Sequence, residues 1–316
     1  MTLVGQVAEA WFNLVEFRAQ VELAQSQIAS NQTALELVEL RFEQGLASAL
    51  DVYQQRQLLV GSQAQLPLAE ARLDLARHQL AILRGEPPRS ALELPKSELS
   101  NPPPLPTTGL GADLLERRPD LRAAALRVAA ADYRVAAAIA NRLPGIRLSA
   151  TTGFNAFWDS NPFSNWVWSL AAGLTAPLFD GGRLSAEQER SEAVMKELVA
   201  SYGQTLLVAL REVEDALVQE DAQRRHLEHL QMQTEVASAA LREARGRYAA
   251  GLSDYLPVLT ALSSHQTAQR SELSARRLLL SHRIQLHRAL GGHWTRELSA
   301  PDAEPGPESN LKDSKS

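Results

Sequence analysis

The sequence contains no cysteine, and only 5% of its 316 residues are aromatic. The first absence excludes disulfides, thiol catalysis and cysteine-ligated metal, without fixing a compartment. The second argues against a thick globular core; the dominance of Ala, Leu, Gln, Glu and Arg suits long helices instead. An excess of one charge is also missing. The net charge is −5, Lys/Arg and Asp/Glu are interspersed, and no basic stripe points to nucleic acid. No apolar run reaches the roughly 20 residues of a transmembrane helix. The start, from Met1 to Gln6, carries neither the charged nor the apolar region of a secretory leader. Asp180-Gly181-Gly182 lacks the full spacing and the lysine of a phosphate loop. No Ser/His/Asp or carboxylate pair falls in a local catalytic motif, so no enzyme and no cofactor are expected. His226 and His229 have a helical i, i+3 spacing that suits metal. Their setting, from Gln223 to His229, reads better as a solvated face, and no metal site is assigned.

What the sequence does contain is itself, twice. Arg41-Phe42-Glu43-Gln44-Gly45-Leu46, followed by Leu50 and Val52, returns 206 residues later as Arg247-Tyr248-Ala249-Ala250-Gly251-Leu252, followed by Leu256 and Val258. The register holds without gaps through Gln63/Gln269, Ala69/Ala275, Leu73/Leu279, Arg77/Arg283 and Leu80/Leu286 to Gly85/Gly291, and 14 of 52 paired positions are identical. A shared turn and a shared stop identify two copies of one helical hairpin.

The expected organisation follows from that repeat. Residues 1–85 form the first hairpin, with helices over about Gly5–Phe42 and Leu50–Arg84 and a kink or break near Gln65 caused by Pro67. Residues 86–112 hold seven of the 16 prolines and form an extended connection. Residues 113–144 carry a helix interrupted early by Pro119. Residues 145–179 alternate between large apolar and small or polar side chains and concentrate six aromatics between Phe154 and Trp168, so two strands joined near Asp159 are expected there, ended by Asp180-Gly181-Gly182. Residues 180–295 form the second long hairpin, with helices over about Leu184–Tyr248 and Leu256–Leu290, and residues 296–316 a polar, disordered tail. In the longer helix Val194, Leu198, Tyr202, Leu206, Ala209, Val213 and Ala216 recur about every 3.67 residues, near an eleven-residue period. The fold class is therefore mainly α, with very long hairpins and one strand pair. At the 206-residue offset, an earlier strand pair would lie upstream of Met1, so the first repeat is incomplete.

Several ordered motifs together resemble outer-membrane efflux channels, the exit ducts of tripartite drug pumps and type I secretion systems. They are Glu116-Arg117-Arg118-Pro119-Asp120-Leu121 with Ala124 and Leu143-Pro144; Pro177-Leu178-Phe179-Asp180-Gly181-Gly182; and Val213-Glu214-Asp215-Ala216 with Arg247-Tyr248, Gly251-Leu252 and Tyr255-Leu256. The similarity covers residues 5–295 and is closest to the lipoprotein branch. It implies a homotrimer whose protomers each give four strands to a twelve-stranded outer-membrane barrel and their helices to a periplasmic tunnel. It also implies a periplasmic adaptor (membrane fusion) protein and a proton-driven inner-membrane pump as partners, and passive export of drugs or other small molecules.

By the resemblance, the tip turns contact the adaptor and gate the duct. The residues concerned are Arg41, Gly45, Leu46, Asp51, Val52, Arg247, Tyr248, Gly251, Leu252 and Asp254. Phe154, Phe157, Trp158, Phe163, Trp166 and Trp168 are expected to form the barrel's membrane belt. Three departures stand out. The leader and lipid-bearing cysteine of the lipoprotein branch are missing, only one strand pair is present, and Pro257 and Thr260 stand where relatives often carry acidic residues. Two other readings remain open at this point: a soluble or periplasmic hairpin scaffold or adaptor without a pore, and a truncated, non-functional remnant.

Overall fold

The computed structural model describes residues 2–88, 98–99, 102, 105, 118–154 and 166–292. Its elements are α1 (Thr2–Glu43), α2 (Ala49–Leu83), α3 (Pro119–Ala140), β1 (Gly145–Phe154), β2 (Trp166–Thr175), α4 (Arg183–Ala249) and α5 (Leu256–Ala289). They fall into two compact units, one made of residues 1–110 and 211–316, the other of residues 111–210. The mainly α class and the single strand pair match the sequence reading, and each helix end lies within a few residues of its expected place. Much of the proline-rich connection, the strand-joining loop and the tail of residues 296–316 lie outside the described residues.

The first unit is a set of long helices packed in heptad register. On α1 the inward positions are Ala10, Leu14, Phe17, Val21, Ala24, Ile28, Asn31, Leu35 and Val38. On α2 they are Val52, Gln55, Leu59, Ser62, Leu66, Ala69, Leu73, Ala76 and Leu80. Both series alternate steps of three and four, the 3.5-residue period of helices that wind gently around each other left-handedly. Two apolar clusters result. Leu35, Val38, Val52, Leu59, Leu241, Tyr248, Tyr255, Val258 and Leu262 fill the space beneath the two turns. Ala10, Leu14, Val21, Leu73, Ala76 and Leu80 fill the other end of the α1–α2 hairpin.

The helices differ from expectation at particular points. Of the kink or break expected at Pro67, the break does not occur: α2 is continuous through it. Pro67 and Gln63, whose carbonyl loses its partner, are both exposed, so water satisfies that carbonyl. Pro119 is the first residue of α3, where its missing N–H has no intrahelical partner to lose, and the stretch expected to be helical before it, residues 114–117, lies outside the described residues. The 3.67 period of α4 is an average of two segments. Val194, Leu198, Tyr202 and Leu206 step by four, whereas from Ala209 through Val213, Ala216, Glu220, Gln223, Leu227 and Leu230 the steps alternate four and three. The helix thus adopts the heptad period once it enters the first unit.

In the second unit β1 and β2 form an antiparallel pair from Gly145↔Thr175 to Phe154↔Trp166. The strand ends at Thr175, five residues before Asp180. Asp180 instead opens α4: its carboxylate accepts from the N–H groups of Gly182 (3.1 Å) and Leu184 (2.8 Å). These backbone bonds, the one from Leu184 foremost, hold its carboxyl below the ordinary range.

Candidate functional site: paired helical tips and an amphipathic strand pair

The two tip turns are built alike, bond for bond. Gly45 has φ 72° and Gly251 φ 73°, the left-handed conformation that only glycine adopts freely. At the first turn the N–H of Leu46 donates to the carbonyl of Arg41 (2.8 Å) and that of Gly45 to Phe42 (2.9 Å). At the second, Leu252 donates to Arg247 (2.9 Å) and Gly251 to Tyr248 (3.0 Å). Each partner is displaced by 206 residues, and each pair closes a helix by the same Schellman geometry. The stops repeat it: Glu86 to Ala81 and Gly85 to Ile82 correspond to Gly292 to His287 and Gly291 to Arg288.

The starts of the second arms differ. Ser48 caps α2, accepting from the Asp51 N–H (3.2 Å) while its own N–H donates to Asp51 (3.0 Å). This reciprocal capping gives Asp51 a local structural task. In the second copy Asp254 stands at the position of Ser48 and Pro257 at that of Asp51, so the box cannot form. Asp254 is left exposed.

The turns lie side by side. The Arg41 guanidinium sits 4.4 Å above the Tyr248 ring, and its Nη1 reaches the Ala249 carbonyl at 3.5 Å. Tyr248 meets Tyr255 edge-on at 5.1 Å. Val52 and Tyr248 are buried in the shared core beneath the turns. Gly45, Leu46, Arg247, Gly251, Leu252 and Asp254 face outward, with Leu46 and Leu252 more than half exposed. The expected tip residues thus divide into a buried hub and an exposed rim.

Beneath the tips lies a polar network that the sequence reading missed. The Tyr255 hydroxyl donates to Gln55 Oε1 (2.7 Å), Gln55 Nε2 to the Asn31 carbonyl (2.8 Å), and Gln266 Nε2 to Asn31 Oδ1 (2.7 Å). Asn31 Nδ2 reaches Ser62 (2.6 Å), and Gln27, held by Arg270 (2.7 Å), donates to the Gln266 carbonyl (3.1 Å). Burial pushes the Tyr255 hydroxyl well above its ordinary range and the Arg270 guanidinium below its own. A signal for this network does exist in the repeat. Asn31, Gln55 and Ser62 correspond to Ala237, Ala261 and Ala268, and Gln266 and Arg270 to Val60 and Ala64. Polar residues in one copy of a duplicated core, matched by small apolar ones in the other, mark a place where the copies have diverged.

The strand pair has two unlike faces. Ile146, Leu148, Ala150 and Thr152 share one with Leu174, Ala172, Leu170 and Trp168, their cross-strand partners. Gly145, Arg147, Ser149, Thr151 and Gly153 share the other with Thr175, Gly173, Ala171, Ser169 and Val167. The large apolar side chains are all exposed, Ile146 at 79% and Trp168 at 76%. Of the six expected belt aromatics only Trp168 is described in full. Phe154 and Trp166 pair at the end of the ladder with their side chains outside the described residues, and Phe157, Trp158 and Phe163 lie wholly outside them. His226 and His229 are both exposed on α4, beside the Arg224 ion pairs with Asp221 and Glu228.

Residues 1–86 and 110–292 match the family model described as outer membrane efflux protein. The chain is 35% identical, over 93% of its length, to the pyoverdine export outer membrane protein OpmQ of Pseudomonas aeruginosa, covering 62% of that protein. It is 34% identical, over 95% of its length, to the toluene efflux pump outer membrane protein TtgF of Pseudomonas putida, covering 63% of it. Among solved structures, the outer-membrane channel OprN superimposes with a TM-score of 0.79 at 29% identity, over 93% of this chain and 66% of that one. The chain therefore spans less than two thirds of the length of the curated relatives it matches.

Proposed function

The chain belongs to the outer membrane efflux protein family, and on that footing we propose that it acts as the outer-membrane duct of a tripartite efflux pump. It carries small molecules passively across the outer membrane, with no bond chemistry, no cofactor and no resident metal. The observation that carries this reading is the strand pair. Among the described residues the sheet has two strands, the side chains of Ile146, Leu148, Leu170 and Leu174 on its apolar face are exposed, and its opposite face is small and polar. A two-stranded ribbon is marginal alone. In lipid, every backbone N–H and C=O must be paired, so the ribbon is stable only in a closed barrel. Closure against further strands, in a homotrimer of the kind the resemblance implies, satisfies that demand.

The tips supply the second half of the proposal. Two like turns pack against each other and present Leu46, Leu252, Arg247 and Asp254 outward. This rim is our candidate docking surface for a periplasmic adaptor protein, which in turn couples the duct to a proton-driven inner-membrane pump. The buried Val52 and Tyr248, the half-buried Arg41 and the turn glycines Gly45 and Gly251 hold the rim in place and are the part that shifts when the tips part to open the duct. Asp51 acts in this scheme by capping α2.

The test is export by cells. Leu252→Trp or Gly251→Asp is expected to abolish efflux while detergent-extracted trimers still form on gels. Loss of the trimer together with efflux would make the turns purely architectural. A protein that purifies fully without detergent and never associates with outer membranes would be a scaffold, and the duct reading would fall.

A further inference from the structure

The small, polar face of the strand pair carries one charge. Arg147 is the only ionisable residue in either strand, and it occupies the second odd position of β1, opposite Gly173. Its neighbours on that face are Ser149, Ala171 and Thr175, none of them charged. Arg147 is exposed, and among the described residues no carboxylate pairs with it. The nearby strand-to-helix junction carries charges of both signs, and none of them is ion-paired with Arg147 among the described residues. The Asp180 carboxylate accepts from the N–H groups of Gly182 and Leu184, Arg142 is bonded to Gln188 (2.7 Å), and Arg183 opens α4.

We propose that Arg147 is a specificity-determining residue of the duct, a fixed cation on the lumen wall at the base of the barrel that favours anionic cargo such as carboxylates, sulfonates and phosphates. This rests on the duct reading, which puts the apolar face toward lipid and the Arg147 face toward water. Three facts give the charge its reach. A guanidinium stays charged at every relevant pH and offers paired donors that match planar oxyanions. Lumen walls of low polarity focus the field of a fixed charge and raise the local concentration of counter-ions. Rotational symmetry repeats the residue around one axis, as in the arginine or lysine rings of anion-passing pores. The hydroxyls of Ser149, Thr151, Ser169 and Thr175 line the same face as neutral donors that weaken no anion contact. Glycine at Gly173 leaves the guanidinium unobstructed on its cross-strand side.

The absence of cysteine makes a direct test possible, because one introduced thiol is the only one present. Ser149→Cys sits two residues from Arg147 on the same face. Its reaction rates with an anionic and a cationic thiosulfonate are measured in the full chain, folded in liposomes. The anionic reagent is expected to be favoured, and the ratio to fall about five- to tenfold when Arg147→Ser is added. Arg147→Lys should keep most of the preference, and Arg147→Gln serves as the neutral variant if Arg147→Ser does not fold. A ratio unchanged by neutralising Arg147 overturns the inference and leaves the duct standing. Failure of both water-soluble reagents to reach Ser149→Cys, while Leu148→Cys reacts with them, overturns the duct reading and the inference with it.

Discussion

The hydroxyl of Tyr255 donates to Oε1 of Gln55 at 2.7 Å, joining the first residues of the last helix to the second arm of the first hairpin across 200 residues of chain. Both side chains are almost fully buried. The bond is therefore made where water cannot replace it, and its loss leaves an acceptor with no donor. Tyr255→Phe is expected to lower stability by about 1–3 kcal/mol. Tyr53→Phe, at an exposed tyrosine on α2, should change it by less than about 0.5 kcal/mol. Urea unfolding of the two variants side by side measures the difference. Equal effects would mean that the network does not hold the hairpins together.

The tip glycines and a mid-helix glycine should respond with opposite signs to the same substitution. An added Cβ at Gly45, Gly251 or Gly61 meets nothing within 4 Å, so sterics from neighbours play no part. At Gly45 and Gly251 the backbone is left-handed, and alanine there costs about 1–2 kcal/mol. Gly61 is an ordinary interior residue of α2, and alanine should stabilise by about 0.5–1 kcal/mol. Thermal unfolding midpoints moving down for the first two and up for the third would confirm that the turn glycines are retained for conformation. Asparagine, which tolerates this region better, should cost less than alanine at either tip.

Asp120 gives a pH signature at the start of α3. Its carboxylate faces the Arg118 guanidinium through two bonds, 3.1 Å and 2.7 Å, and also accepts from the Leu121 N–H. The Arg118 hydrogen bond leads in holding its carboxyl below 3.8. A depressed carboxylate stabilises the fold above its unfolded pKa, and that contribution disappears as pH falls through the folded value. Asp120→Asn should therefore lower the melting temperature at pH 7 and make progressively less difference below about pH 4. Because Asp120 is about half exposed, the loss at pH 7 should stay near 1 kcal/mol or less. A difference that persists at pH 2 would assign the effect to packing instead of charge.

How much of this was legible depended on whether a residue's local neighbours carry the information. The turns at Gly45 and Gly251 and the stops at Gly85 and Gly291 were readable because left-handed caps need glycine and the repeat supplied each of them twice. The strand faces were readable because a period of two sorts Ile146 and Leu148 from Arg147 and Ser149 whatever the surroundings. The polar network was not. Asn31, Gln55 and Gln266 look like solvated helix residues, and only the packing of three helices turns them inward. At Pro67 the expected break is absent: the carbonyl it frees belongs to the exposed Gln63, so the lost hydrogen bond leaves no buried group without a partner. The 3.67 average of α4 hides a change of period near Ala209, because Val194 to Leu206 step by four and Ala209 to Leu230 alternate four and three.

The final prediction concerns which side of the strand pair meets lipid, and two adjacent residues decide it. Leu148 lies on the apolar face, paired with Ala172, and Ser149 on the polar face, paired with Ala171. In water alone the two faces are equally free, and lysine at either position would cost little. In a bilayer they are not equivalent. A lysine on the lipid side of a barrel costs about 2–4 kcal/mol at mid-depth and less toward the interfaces, whereas a lysine facing an aqueous lumen stays hydrated. Leu148 lies three residues into its strand, so the lower part of that range applies. Leu148→Lys is thus expected to lower the yield of folded, detergent-resistant protein after insertion into vesicles, and Ser149→Lys to leave it nearly unchanged. Gel mobility with and without heating reads both. The reverse order would turn the sheet inside out and move Arg147 to the lipid side, where an unpaired charge is not stable. Equal yields would mean that neither face is buried in a membrane.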